Sequence, residues 1–232
     1  IYEQPKVMAD NASDFVEKNI KEAINKSGFA NIILATGSSQ LLFLEALRNK
    51  EIDWKKITVF HLDEYKDISP NHPASFRKYL KDRILSFVNP KKVYFLNGNA
   101  ADCEKEMRKY EQILINHPID IACIGIGENG HIAFNDPGEA DFNDRDQVKL
   151  VNLDEACRRQ QFTEGWFPSF DDVPRQALTL TIPAILNSKV ISCVVYPFLL
   201  HVSTFEVIPH GVLYSSENVP VARKITLLKF CL

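Results

Sequence analysis

The chain has 232 residues, 45% of them hydrophobic and 25% charged, with a net charge of −3 at pH 7. That length and composition suit a single α/β domain over residues 1–232 and exclude a disordered chain. The acidic balance with scattered lysines and arginines excludes an electrostatic footprint for nucleic acid or a membrane surface, and no apolar run reaches the ~20 residues of a membrane span.

The polar start, IYEQPKVMADNAS, lacks the order of a secretory signal, and five cysteines without a CxxC pair read as free thiols. The expectation is a cytoplasmic protein. Six histidines with neither HxH nor HExxH spacing give no support for a metal.

In chain order, residues 10–27 carry a helical apolar stripe (Phe15, Val16, Ile20, Ala23, Ile24) that Gly28 can stop. Residues 31–36 read as a buried strand, followed by Gly37, Ser38 and Ser39 and a helix over 40–49. A strand, a small-residue loop and a helix start can cradle an anion with backbone N–H groups, aided by the hydroxyls of Thr36, Ser38 and Ser39. The same pattern also describes an ordinary βα turn. Residues 57–62 predict a second strand with Asp63, Glu64 and Tyr65 at its end, where open α/β sheets bind ligands. The segment after them, KDISPNHPAS, reads as loop, and a helix is expected over 74–87. Further strands are predicted at 92–96, 148–152, 177–181 and 190–195. Helices are predicted at 101–116, at 154–162 with Asp154 as cap, and in a short turn begun by Pro183. The alternation argues for α/β with a mostly parallel sheet. Beyond 195 no clear pattern emerges.

The stretch 125–136, GIGENGHIAFND, follows the apolar run 119–126 and so starts at the end of a buried strand. Gly125, Gly127 and Gly130 satisfy GxGxxG literally. However, Pro137 and Gly138 break any following helix, and no acidic residue ends a second strand about 20 positions on, so a dinucleotide site is not expected. Proton transfer is the better reading. His131 titrates in the range useful for acid–base chemistry, Asp136 can orient its ring, Asp63 can act as a second base, and the loop glycines offer close backbone donors. Two separated acid–base groups beside a phosphate-type loop suit the isomerisation of a sugar phosphate.

ATGSS (35–39), LDEY (62–65), HPASF (72–76), LNGNA (96–100) and GIGENGHIAFNDPG (125–138) occur in this order and spacing. Together they resemble the glucosamine-6-phosphate deaminase (isomerase) family over about four-fifths of the chain. The resemblance implies a modified Rossmann-like α/β sandwich with helices on both faces of its sheet. It also implies conversion of glucosamine 6-phosphate to fructose 6-phosphate and ammonia, without a metal or organic cofactor, and a possible homo-oligomer. Residue by residue, it implies that Asp63 moves the C2 proton to C1 and that His131 opens the sugar ring. Asp136 stands where many members have a glutamate tuning that histidine, and Asn129 where some have an aspartate of the same relay. Thr36, Gly37, Ser38, Ser39 and the backbone of Gly127 would hold the substrate and its phosphate.

Three departures stand out. Asp136 is shorter than glutamate and Asn129 does not titrate. Gln161 occupies the position where many members have a phosphate-binding arginine, so a charge-assisted contact becomes a neutral one. After SCVV the family continues with a loop bearing a lysine. Here 196–232 diverges, with no lysine until Lys224, as a shifted reading frame would produce. Two other functions stay open: a non-catalytic sugar-phosphate-binding protein, and a related lactonase or isomerase. Related lactonases share the glycine loop before His131 but not the segment after it, and ester hydrolysis needs no C2 base. Finally, Glu139, Asp141, Asp144 and Asp146 lie where allosteric members bind a phosphorylated effector. Their charge predicts no activation by N-acetylglucosamine 6-phosphate.

Overall fold

The computed structural model describes residue 2, residues 4–127 and 130–195, and the backbone of 207–208, 211–212 and 224–229. The first helix, α1 (Pro5–Ser27), starts earlier than its apolar stripe because Pro5 occupies the first turn, where its missing N–H costs nothing. It ends at Gly28, whose φ of 81° is the left-handed cap conformation. Next come β1 (Ala30–Leu34), α2 (Leu41–Arg48), β2 (Ile57–His61), β3 (Asp63–Tyr65), α3 (Phe76–Leu80), β4 (Lys92–Tyr94) and α4 (Cys103–Asn116). They are followed by β5 (Ile121–Ile124), β6 (Val148–Asn152), α5 (Glu155–Thr163), β7 (Gln176–Leu180), α6 (Ile182–Leu186) and β8 (Val190–Val195). The backbone also forms β9 (Val207–Ile208), β10 (Gly211–Val212) and β11 (Lys224–Lys229).

The central sheet runs β11-β8-β5-β1-β2-β4, with every pairing in it parallel. Its strands are buried throughout β1 and β2, as expected of a sheet covered on both faces. Alternate residues feed two cores. Ile32 and Leu34 pack with Met8, Val16, Phe43 and Leu47 from α1 and α2, whereas Ile33 and Ala35 pack with Tyr110, Leu114 and Ile185 from α4 and α6. From β1 the chain proceeds outward to β2 and β4, then returns to β5 on the other side of β1. The crevice above β1 and β5 is therefore the topological switch point, where open α/β sheets take ligands.

Three local expectations are corrected. Residues 63–65 do not simply end the second parallel strand but form a strand of their own: they leave the central sheet and pair antiparallel with β7, which also pairs with β6, giving a second sheet ordered β3-β7-β6. The helix expected over 74–87 is α3 capped by Ser75, continuing as a π-helical turn over Lys81–Leu85. The helix after β1 is preceded by a 3₁₀ turn, Ser38–Gln40. Asp154 does cap α5, its side chain accepting from the Cys157 N–H. The readings made for Asn129 and for the side chains of the divergent tail lie outside the described residues.

Candidate active site

A cleft of about 140 Å³ opens at the switch point. Its floor is the two loops that leave β1 and β5. Gly37 takes φ 104°, open to glycine and strained for any side chain, and its carbonyl accepts from the Tyr79 hydroxyl at 2.7 Å. Thr36, Ser38 and Ser39 line the cleft beside it. Gly127 is required for a different reason. A Cβ there would lie 2.1 Å from His131 Cε1, so the bare backbone is what admits the imidazole. The Gly127 N–H donates to the His131 carbonyl at 2.9 Å, closing the turn on itself.

His131 lines the cleft with its Nδ1 3.2 Å from Asp136 Oδ1. Asp136 is buried, and the turn that carries both is clamped to the second sheet. Asn135 Nδ2 donates to the Leu180 carbonyl at 2.8 Å, and the Phe134 N–H donates to Thr179 Oγ1 at 3.2 Å. Ala133, inside this turn, is held at φ 54°, a conformation costing a non-glycine residue about 1 kcal/mol or more. That strain is sustained by the clamp around it.

Asp63 lines the same cleft from β3 and is buried, with Oδ1 making no hydrogen bond among the described residues. Burial raises its pKa well above the ordinary carboxylate value, and the neighbouring Glu64 charge raises it further. Glu64 itself does not face the cleft. It is fully buried and accepts from Ser75 Oγ at 2.8 Å, from the N–H groups of Phe76 and Arg77, and from Arg77 Nε at 2.9 Å. Arg77 in turn donates to Asn97 Oδ1, Asn99 Oδ1 and the Ile68 carbonyl. A Cβ at Gly98 would sit 2.1 Å from the Tyr65 carbonyl, so the Asn97–Gly98–Asn99 turn packs directly on β3. The LDEY, HPASF and LNGNA stretches thus form one brace behind Asp63, centred on buried Glu64, Ser75 and Arg77.

The far wall comes from α5 and the residue run after it. Gln161 Oε1 accepts from the fully buried Tyr65 hydroxyl at 2.7 Å, leaving its NH₂ as a neutral donor at the cleft. Cys157 also lines this wall, buried, its thiol pushed far above its ordinary pKa by burial and by the Asp136 carboxylate, so it is a poor nucleophile. Trp166 stands at the rim, its Nε1 donating to Glu164 Oε2 at 3.1 Å. Among the described residues lining the cleft there is no lysine or arginine. No three histidine, cysteine or carboxylate side chains among the described residues form a metal-holding group.

The structure therefore brings together Thr36, Gly37, Ser38, Ser39, Asp63, Gly127 and His131, with Asp136 directly behind the imidazole. Sequence reasoning missed the brace of Ser75, Arg77, Asn97 and Asn99, and it missed the wall residues Cys157 and Trp166. The motif spacing pointed toward the brace without revealing that Glu64 and Arg77 joined its parts.

Comparison with known proteins identifies the family. Residues 3–196 match the family described as glucosamine-6-phosphate isomerases/6-phosphogluconolactonase. A glucosamine-6-phosphate deaminase of Streptococcus equi subsp. equi is 32% identical over 210 residues, 87% of each chain. One from Oenococcus oeni is 37% identical over 163 residues, 70% of this chain and 67% of its own. The solved structure of a monomeric glucosamine-6-phosphate deaminase superposes with a TM-score of 0.72 at 33% identity, covering 84% of this chain and 79% of that one. The 6-phosphogluconolactonase of Leishmania guyanensis shares the fold at 18% identity, with a TM-score of 0.74 over 99% of this chain and 94% of its own. With a family match spanning most of its length and relatives of this identity, the chain belongs to the glucosamine-6-phosphate isomerase/6-phosphogluconolactonase family of enzymes.

Proposed function

We propose that the protein deaminates glucosamine 6-phosphate to fructose 6-phosphate and ammonia. The observation that carries this reading is Asp63, a buried carboxylate in the cleft wall with a raised pKa and an oxygen that has no hydrogen-bond partner among the described residues. A carboxylate so placed is a competent carbon base, a group for which lactone hydrolysis has no use. Deaminases among the relatives support the choice within the family.

In this reading the phosphate rests on the 36–39 loop, held by N–H and hydroxyl donors. His131, oriented by Asp136, takes the proton from the sugar O1 and returns one to the ring oxygen, opening the ring. Asp63 removes the C2 proton of the open chain, giving an enolamine, and delivers the proton to C1. The resulting C2 imine adds water and releases ammonia, so the net reaction consumes one water. Gln161 offers a neutral donor to the substrate.

The test is ammonia release from glucosamine 6-phosphate by the wild type and by Asp63→Asn and His131→Ala. Release that falls at least 100-fold in both variants is the expected result. Hydrolysis of 6-phosphogluconolactone that persists in Asp63→Asn, without ammonia release by the wild type, would replace the deaminase with a lactonase. Thermal stabilisation by the sugar without turnover of either substrate would make the protein a binder.

A further inference from the structure

Gln40 is fully buried between the 36–39 loop and the carboxyl ends of β5 and β8. Its Nε2 lies 3.3 Å from the Ile124 carbonyl and 3.4 Å from the Val194 carbonyl. Carbonyl oxygens only accept, so the NH₂ and not the amide oxygen must occupy that side. The same nitrogen is 2.9 Å from Ser39 Oγ, its shortest contact. A Cβ at Gly125 would come within 3.0 Å of Ser39 Oγ and 3.2 Å of Gln40 Nε2, so the first glycine after β5 leaves room for this pair. The arrangement carries a cost, since Gln40 Oε1 is buried without a hydrogen-bond partner among the described residues.

The consequence falls on a proton. A serine hydroxyl has one hydrogen to give and lone pairs to receive. Because Ser39 Oγ receives the Gln40 N–H, its own hydrogen must point elsewhere. The Ser39 hydroxyl forms no other hydrogen bond within the described residues, and Ser39 lines the cleft. We propose that Gln40 is a positioning residue that fixes the polarity of Ser39, holding its hydroxyl as a donor toward proton-free oxygens such as those of a phosphate dianion. Without Gln40 no donor holds the Ser39 oxygen, and its hydrogen is no longer directed at the ligand. This inference rests on the reading that the loop holds the phosphate of a sugar phosphate.

The test uses sorbitol 6-phosphate, which carries the phosphate but has no ring to open, as the calorimetric probe. Wild type, Gln40→Met, Ser39→Ala and the double variant form a cycle, with glucosamine 6-phosphate kinetics alongside. Gln40→Met should weaken sorbitol 6-phosphate about tenfold, the size of one lost hydrogen bond. It should raise KM with kcat little changed, and add almost nothing in the Ser39→Ala background. Unchanged affinity in Gln40→Met, or losses that multiply in the double variant, would overturn the proposal. A merely structural Gln40 would weaken binding equally with or without the Ser39 hydroxyl. If Gln40→Met does not fold, Gln40→Asn, which retracts the amide by one methylene, takes its place in the same cycle. A folded wild type that fails to bind sorbitol 6-phosphate would remove the phosphate-loop reading, and this inference with it.

Discussion

A carboxyl group that the fold desolvates holds its proton to higher pH than the same group in the unfolded chain, and Asp63 is such a group. Its folded pKa is raised, so its contribution to stability is complete below the ordinary carboxylate value near 3.8 and is lost as pH rises through the raised value. At neutral pH, Asp63→Asn is therefore expected to abolish turnover and yet raise Tm, by about 2–4 °C for each kcal/mol relieved. The gain should fade as the pH is lowered toward 4, which thermal melts across pH would show. The same shift places the acid limb of kcat/KM above the ordinary carboxylate range. Gly127 makes a sharper steric case. Gly127→Ala would drive a methyl group into the His131 ring, so a fall of at least tenfold in kcat with little loss of Tm is expected from steady-state kinetics and melts. Trp166 is 38% exposed at the cleft rim, whereas Trp54 is 8% exposed in the core, so ligand-dependent tryptophan emission should vanish in Trp166→Phe.

Between strands the decisive element is the brace behind β3. The Glu64–Arg77 pair is buried on both sides, and each of the three guanidinium nitrogens donates at least one hydrogen bond. Such a pair is weak evidence of net stability, but removing one partner strands a charge. Arg77→Met should cost about 3–5 kcal/mol in denaturant melts. Strand β2 carries the opposite pH signature. His61 is fully buried with neither ring nitrogen hydrogen-bonded among the described residues, and burial followed by the Arg77 charge lowers its pKa from 6.5 to about 3. The unfolded chain binds this proton first, so the stability His61 permits is complete above about pH 6.5 and is lost as pH falls toward 3. His61→Phe is expected to flatten the acid side of the Tm profile, while Asp63→Asn raises the profile from above the ordinary carboxylate value of 3.8 upward.

At the scale of the whole molecule, the alternating periodicity and the βα punctuation were enough to read a mostly parallel sheet with its ligand edge at the carboxyl ends of the strands, whereas the strand order that sets the switch point comes from the fold. The strand ends at Gly37, Asp63 and His131 were legible because glycine, carboxylate and imidazole leave a chemical signature in sequence. The second sheet was not legible: residues 63–65 are too short for a period, and β6 and β7 pair across a turn and a helix. The partnership of Glu64 with Arg77, and of Gln40 with Ser39, depends on side-chain direction in three dimensions, which spacing does not encode. The acidic loop at 139–146 carries four carboxylates against Arg145, with Lys149 within 3.1 Å of Asp144. N-acetylglucosamine 6-phosphate is accordingly expected to leave the substrate saturation curve unmoved.

The position of Cys157 turns occupation of the cleft into something that can be timed. The residue is 4% exposed and belongs to the helix that walls the cleft, whereas Cys103 is partly open to solvent and Cys123 and Cys193 lie inside the sheet. The cleft that Cys157 lines is the route by which a thiol reagent reaches it. A ligand that fills the cleft closes that route, so the rate at which Cys157 is labelled should fall in proportion to the fraction of sites occupied.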